Sequence, residues 1–152
     1  MGMNITDFLE ARIAEDEAAA NNATGARWVV LSGVNASMVN IDPTNVRDEK
    51  WKYGRFGHIA TTSHDAAYAE HIARHDPARV LAECAAKRAI IAEHAPVDYS
   101  GIGMTSPNAC SLCGTELSMS DWEWVLDSFP CPTLKALAAI YRDHPDYQEA
   151  WG

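Results

Sequence analysis

The chain has no apolar run near the roughly 18 residues a membrane-spanning helix needs. It is short of basic residues: 12 Lys and Arg stand against 21 Asp and Glu, a formal net charge of −9. A nucleic-acid backbone or an anionic membrane needs clustered Lys and Arg, so neither is the expected partner, whereas a basic protein surface is compatible. There is no G-x-S-x-G nucleophile elbow, no P-loop and no G-x-G-x-x-G; Gly101-Ile102-Gly103 is too little. The opening Met1-Gly2-Met3-Asn4-Ile5-Thr6-Asp7 lacks the basic and apolar regions of a secretion signal, which makes the cytoplasm the expected location. Cysteine is sparse, with four in the chain. In that compartment such cysteines serve as metal ligands, core residues or reactive thiols more often than as disulfides.

The 152 residues are 47% hydrophobic and 22% charged, the composition of one ordinary globular domain over 1–152. A chain of this length buries enough apolar surface to fold without metal or disulfide. Its periodicity predicts an α+β domain. Phe8, Leu9 and Ile13 mark an amphipathic helix over about Asp7–Ala20, capped by Thr6 or Asp7. Arg27–Leu31, Ser37–Ile41, Lys50–Tyr53 and Phe56–Thr62 are short, β-branched or aromatic runs between turn residues, as expected of a small antiparallel sheet. Residues 1–62 thus hold a helix plus the sheet. Residues 63–94 form a helical pair: the first helix over about His64–His75 with Ser63 as its cap, the second restarted by Asp76-Pro77 and running to His94. Ala95–Ala109 is rich in Gly, Pro and Ser and is expected to be a loop. Residues 110–152 hold a cysteine knuckle, a helix over Pro132–Arg142 and an aromatic tail.

The sharpest motif is Cys110-Ser111-Leu112-Cys113-Gly114. Two thiolates two residues apart can grip one ion, and the glycine allows the tight turn behind them. Cys131 stands just before a predicted helix, where the helix N-terminus favours the thiolate. Zinc takes four sulfur and nitrogen ligands in a structural site. His94, at the end of the second helix of the pair, is the first choice for the fourth ligand, with His75, His144 and Cys84 as alternatives. Cys84 lies on an apolar helical stripe with Val80, Leu81 and Ile91, the setting of a core residue. The bland reading of the knuckle is a set of reduced, unligated thiols. A redox pair is disfavoured because no βαβ pattern surrounds it.

A second constellation is His64, His71, His75 and Asp76. His71 and His75 are four apart and share a helix face, which would suit a metal-dependent hydrolase. No Glu follows the first His, so the zinc-protease motif is absent. The plainer reading is a packed His71 and a His75 that meets its helix C-terminus. Arg74, Arg79, Lys87 and Arg88 make a basic stretch that could bind an anion, although such a run is usually a solvated face. Five tryptophans are many for this length. Most belong to a core; any that cluster outside mark a protein interface, and Trp122 and Trp124 are the candidate contact residues.

Three blocks resemble an uncharacterised family of actinobacteria and their phages, domain of unknown function 6221. They are Asp7-Phe8-Leu9-Glu10-Ala11-Arg12 with Glu15-Asp16-Glu17; His71-Ile72-Ala73-Arg74-His75-Asp76-Pro77-Ala78-Arg79-Val80-Leu81 through Ala86-Lys87-Arg88; and Pro130-Cys131-Pro132-Thr133-Leu134 through Leu137-Ala138, Tyr141, Asp143-His144-Pro145-Asp146-Tyr147 and Trp151. The resemblance implies that Cys110, Cys113 and Cys131 belong together, and that Cys84, where the family carries an apolar residue, stands apart. The Ser118–Phe129 stretch is longer than the family's linker. The expectation is a zinc-stabilised, non-enzymatic module that binds a protein partner, as a phage or prophage accessory protein in the host cytoplasm. The alternative is the hydrolase built on His64, His71, His75 and Asp76.

Overall fold

A computed structural model of the chain describes residues 2–23, 26–32, 36–42, 44, 57–63, 66–101, 104–113, 116–117, 124–125 and 129–152. The fold is α+β, with helices α1 (Ile5–Asn22), α2 (Ala66–Arg74), α3 (Pro77–Glu93) and α4 (Pro132–Ala138) among the described residues. The strands are β1 (Trp28–Ser32), β2 (Ala36–Ile41), β3 (His58–Ser63), β4 (Pro96–Gly101), β5 (Met104–Cys110), β6 (Glu116–Leu117) and β7 (Trp124–Val125). They make a three-stranded antiparallel sheet, β1-β2-β3, and two antiparallel hairpins, β4-β5 and β6-β7. None of the described helices is long and apolar enough to cross a membrane. The described chain divides into two compact units, Glu15–Cys84 and Met1–Ala14 with Ala85–Gly152, and the division falls inside α1 and α3.

In the Glu15–Cys84 unit, β2 is the central strand. It pairs Val39 with Val30 on one side and Ala60 on the other, with a register irregularity at Val39/Asn40. Alternation along β2 buries Ser37, Val39 and Ile41 and leaves Met38 exposed. Helix α2 packs on this sheet and buries Ala69 completely. The candidate strand at Lys50–Tyr53 lies outside the described residues, whereas Ser63, expected to cap the first helix of the pair, ends β3, and α2 begins at Ala66. Asp76 caps α3: its Oδ1 accepts the Arg79 N–H at 2.8 Å and its Oδ2 the Trp28 N–H at 3.2 Å. One carboxylate thereby ends the interhelical turn and ties it to the first strand. Cys84 is fully buried in α3, and Pro77 occupies the first helical position, where its missing N–H breaks no bond.

In the other unit, the α1 cap is Asn4, neither Thr6 nor Asp7. Asn4 Oδ1 accepts the Asp7 N–H at 2.8 Å, and its Nδ2 donates to Asp7 Oδ2 at 2.7 Å. The helix therefore starts at Ile5, which is itself buried. Phe8 is the hub of the core, with the rings of Tyr141, His144, Tyr147 and Trp151 centred 4.9–6.3 Å away. Trp151 thereby anchors the aromatic tail. Glu10 forms an ion pair with Arg88 at 2.9 Å. The α4 helix ends at Ala138 and tightens into a 3₁₀ turn over Ala139–Tyr141.

The stretch Ala95–Ala109 departs from expectation, forming the β4-β5 hairpin in place of a loop, with Pro96 opposite Cys110 and Ser100 opposite Thr105. Its Pro and Gly content masked the strands because they sit where a ladder tolerates them. Pro96 opens β4, and Pro107 with Asn108 falls in the register irregularity between Val97 and Tyr99. Asn108 has a left-handed φ of 62°, and its N–H donates to Asp98 Oδ1 at 3.3 Å, so the irregularity is stitched by a side chain.

Candidate metal centre

Three segments far apart in sequence deliver four ligand-type side chains to one point. His94 stands just past the C-terminus of α3, Cys110 ends β5, Cys113 lies in the turn beyond it, and Cys131 immediately precedes α4. Their ligand atoms all lie within 4.8 Å of one another. His94 Nδ1 is 3.3 Å from Cys110 Sγ, 3.4 Å from Cys113 Sγ and 3.4 Å from Cys131 Sγ. All but Cys113, which is half-buried, are buried. A zinc ion with sulfur at roughly 2.3 Å and nitrogen at about 2.0 Å in tetrahedral array sets those donors about 3.5 Å apart. The geometry fits a metal ion held by one imidazole and three thiols.

The surrounding backbone explains the convergence. Pairing of Pro96 with Cys110 brings the end of β5 back to the turn that carries His94. Ser111 locks the knuckle onto that turn twice, its N–H donating to Ala95 O at 2.9 Å and its hydroxyl to Glu93 O at 2.7 Å. These bonds bracket His94 on both sides. The segment before Cys131 is held by the Phe129 N–H, which donates to Asn108 O at 2.7 Å. Cys131 is the N-cap residue of α4, with extended backbone and Pro132 behind it, and its carbonyl accepts the Lys135 N–H at 3.1 Å. Its sulfur therefore sits at the positive end of the helix dipole. Ser111 and Asn108 are supporting residues that sequence reasoning missed. A serine inside a knuckle carries no spacing signal, and Asn108 is informative only once its φ is known.

The thiols of the cluster shift in opposite directions. Burial pushes the Cys110 thiol up, but the backbone N–H groups of Cys113 and Leu112, then His94 and Cys131, outweigh it and bring it from 9.0 down to about 7. Cys113 is pushed from 9.0 up to about 11, first by burial, then by hydrogen bonding to Cys131 and Cys110 and by their charge. One thiolate is favoured and its neighbour opposes further ionisation. A divalent cation removes that opposition, because a coordinating thiol is deprotonated outright.

The other candidate ligands lie elsewhere. Cys84 is in the core, and His144 is hydrogen-bonded to Arg12 and receives the Asp146 N–H at 3.1 Å. His75 faces His71 with ring centroids 4.7 Å apart, both side chains exposed. Asp76 is buried at 6% exposure, with both carboxylate oxygens taken by backbone N–H groups. His64 lies outside the described residues. Among the described residues, three or more His, Cys, Asp or Glu side chains bring their ligand atoms together at His94, Cys110, Cys113 and Cys131. Trp122 lies outside the described residues, and Trp124 is described only as backbone in β7.

A family of unknown function (DUF6221) has a model that matches residues 2–152. No curated protein and no solved structure matches the chain.

Proposed function

The chain belongs to the family of unknown function DUF6221, and from its own residues we propose that it is a non-enzymatic binding module whose C-terminal part is held by a structural zinc ion. The observation that carries this reading is the closed set of one imidazole and three thiols, with ligand atoms within 4.8 Å of one another. Zinc fits three sulfurs and one nitrogen better than the hard cations, which prefer oxygen. Four protein ligands complete a tetrahedron, so the ion is structural and needs no further ligand from solvent.

The module's partner is a protein. The segment between Cys113 and Cys131 carries Trp122 and Trp124, large side chains of the kind that anchor interfaces. With both flanking cysteines on one ion, that segment loses less entropy on docking. The setting that accords with the family resemblance is a phage or prophage accessory protein acting on a host protein.

Metal analysis of protein purified without chelator tests the first half of the proposal. One zinc per chain is expected, and Cys131→Ser should abolish it. A metal-free chain with all three thiols freely alkylated would sink the idea. Capture of host proteins by wild type and by Trp122→Ala and Trp124→Ala tests the second half. Weaker capture at an unchanged melting temperature marks contact residues, whereas lost stability with unchanged capture marks core residues.

A further inference from the structure

The basic stretch of the sequence divides in the structure. Arg88 pairs with Glu10, and Lys87 donates to the Tyr141 hydroxyl at 2.9 Å. Arg74 and Arg79 do something different. Together with Arg27, which lies outside that stretch, they line a concavity of about 400 Å³ whose remaining walls are Trp28, Ala73, Asp76 and Ala78. Three guanidinium-bearing residues thus come from three elements: the residue before β1, the last residue of α2 and the first turn of α3.

The charges there are unequally committed. Arg79 Nε donates to Glu83 Oε1 at 2.6 Å, and its Nη1 reaches Arg74 O at 3.5 Å. The negative charge of Asp76 is engaged by the N–H groups of Trp28 and Arg79. The side chains of Arg27 and Arg74 are exposed, and neither has a hydrogen bond or ion pair among the described residues. The Trp28 indole N–H is shielded from solvent and also finds no acceptor among them. The N-terminus of the seventeen-residue helix α3 lies at the same place and is already capped by the Asp76 carboxylate, so the arginines supply the free positive charge. In a chain of net charge −9, three arginines against the one Asp76 carboxylate make this lining a local excess of positive charge.

We propose that the concavity of Arg27, Arg74 and Arg79 binds the phosphate group of a small phosphorylated molecule. The guanidinium fork matches phosphate oxygens in pairs, and a tetrahedral oxyanion presents acceptors to donors arriving from three directions, which a planar carboxylate does not. The volume lies in the range of small-molecule sites, about 300–1,000 Å³, and exceeds what a bare anion fills. A long polyanion is disfavoured by the overall negative charge. The site uses none of the metal-centre residues, so the two proposals stand or fall separately.

Calorimetric titration of the whole chain at constant ionic strength is the test, with inorganic phosphate in one series and glycerol 3-phosphate in the other. Saturable binding is expected. Tighter binding of the ester assigns the site to a phosphorylated molecule as proposed, whereas tighter binding of inorganic phosphate overturns that assignment in favour of the free ion. Arg27→Gln and Arg74→Gln should each weaken binding about tenfold, the loss of one charge-assisted hydrogen bond. Both side chains are exposed, so melting temperatures should stay at wild type. Arg142→Gln, an exposed charge that does not line the concavity, should leave the affinity unchanged. No saturable binding at millimolar ligand, equal weakening by Arg142→Gln, or undiminished binding in the Arg27→Gln/Arg74→Gln double variant overturns the proposal. So does capture of a single-stranded oligonucleotide by a chain that binds neither probe.

Discussion

Two regions of the molecule present histidine beside other ligand-type residues. At His71 and His75 the proximity is local: four residues apart, the rings meet 4.7 Å from centre to centre on an exposed surface. At His94 the partners are 16, 19 and 37 residues away, and the imidazole is buried at 7% exposure among three sulfurs. Helical periodicity alone produces the first arrangement, at no cost beyond forming the helix. The second requires a hairpin, a doubly anchored serine and a helix start to agree on one point. Bringing four ionisable groups together from distant positions costs loop-closure entropy and desolvation, and a bound ion offsets both. The contrast shows why a dispersed but converging set carries a stronger metal argument than a neighbouring pair.

The largest effect that would break the comparison is loss of the proposed zinc ion. Structural zinc contributes about 10–16 kcal/mol of apparent binding free energy in small zinc domains, and that coupling stabilises the fold. Cys131→Ser should therefore release the metal and lower the melting temperature by well over the few degrees typical of point substitutions, as read by elemental analysis and thermal melts. If His71→Ala/His75→Ala removed zinc as well, the histidine pair would have been misjudged.

Acid should act in the same direction. Zinc takes thiolates and neutral imidazole, so the affinity of the proposed site should fall as pH falls. In the metal-free chain, the Cys110 thiol lies at about 7 against 9.0, so its contribution to stability is present above 9.0 and is lost as pH falls through about 7. Cys113, raised to about 11, contributes stability below 9.0 that is lost as pH rises through about 11. Melting temperatures of chelator-treated and zinc-loaded protein across this range check both signs, and the loaded protein should show the larger loss towards acid.

Smaller effects sharpen the contrast. Asp76→Ala removes acceptors from the Arg79 and Trp28 N–H groups and should cost about 1–2 kcal/mol in a denaturant titration, with zinc content intact. Near-zero cost would return Asp76 to consideration as a functional carboxylate. Cys84→Ala opens a small void in a fully buried position and should cost about 1 kcal/mol, again without loss of zinc. Smallest of all, His71→Ala on an exposed surface should shift stability by less than about 0.5 kcal/mol.

The amino-acid order by itself determined the α+β class, α1 to within two residues at each end, the Asp76-Pro77 restart of α3 and the candidacy of Cys110, Cys113, Cys131 and His94. Each of these follows from local chemistry: apolar periodicity, a cap with a proline behind it, and thiols spaced for one turn. Only the tertiary structure decided what depends on distant partners. The β4-β5 hairpin was hidden by prolines and glycines whose harmlessness follows from register. Cap assignment shifted to Asn4 because Asp7 completes the bond pair from inside the helix. His94, the first choice from the sequence, gained its three sulfur neighbours only through the tertiary fold, and the concavity of Arg27, Arg74 and Arg79 draws on an arginine 47 residues from the next. Sequence spacing constrains atoms only over a few residues; beyond that, burial and hydrogen bonding choose among arrangements that the local pattern leaves equivalent.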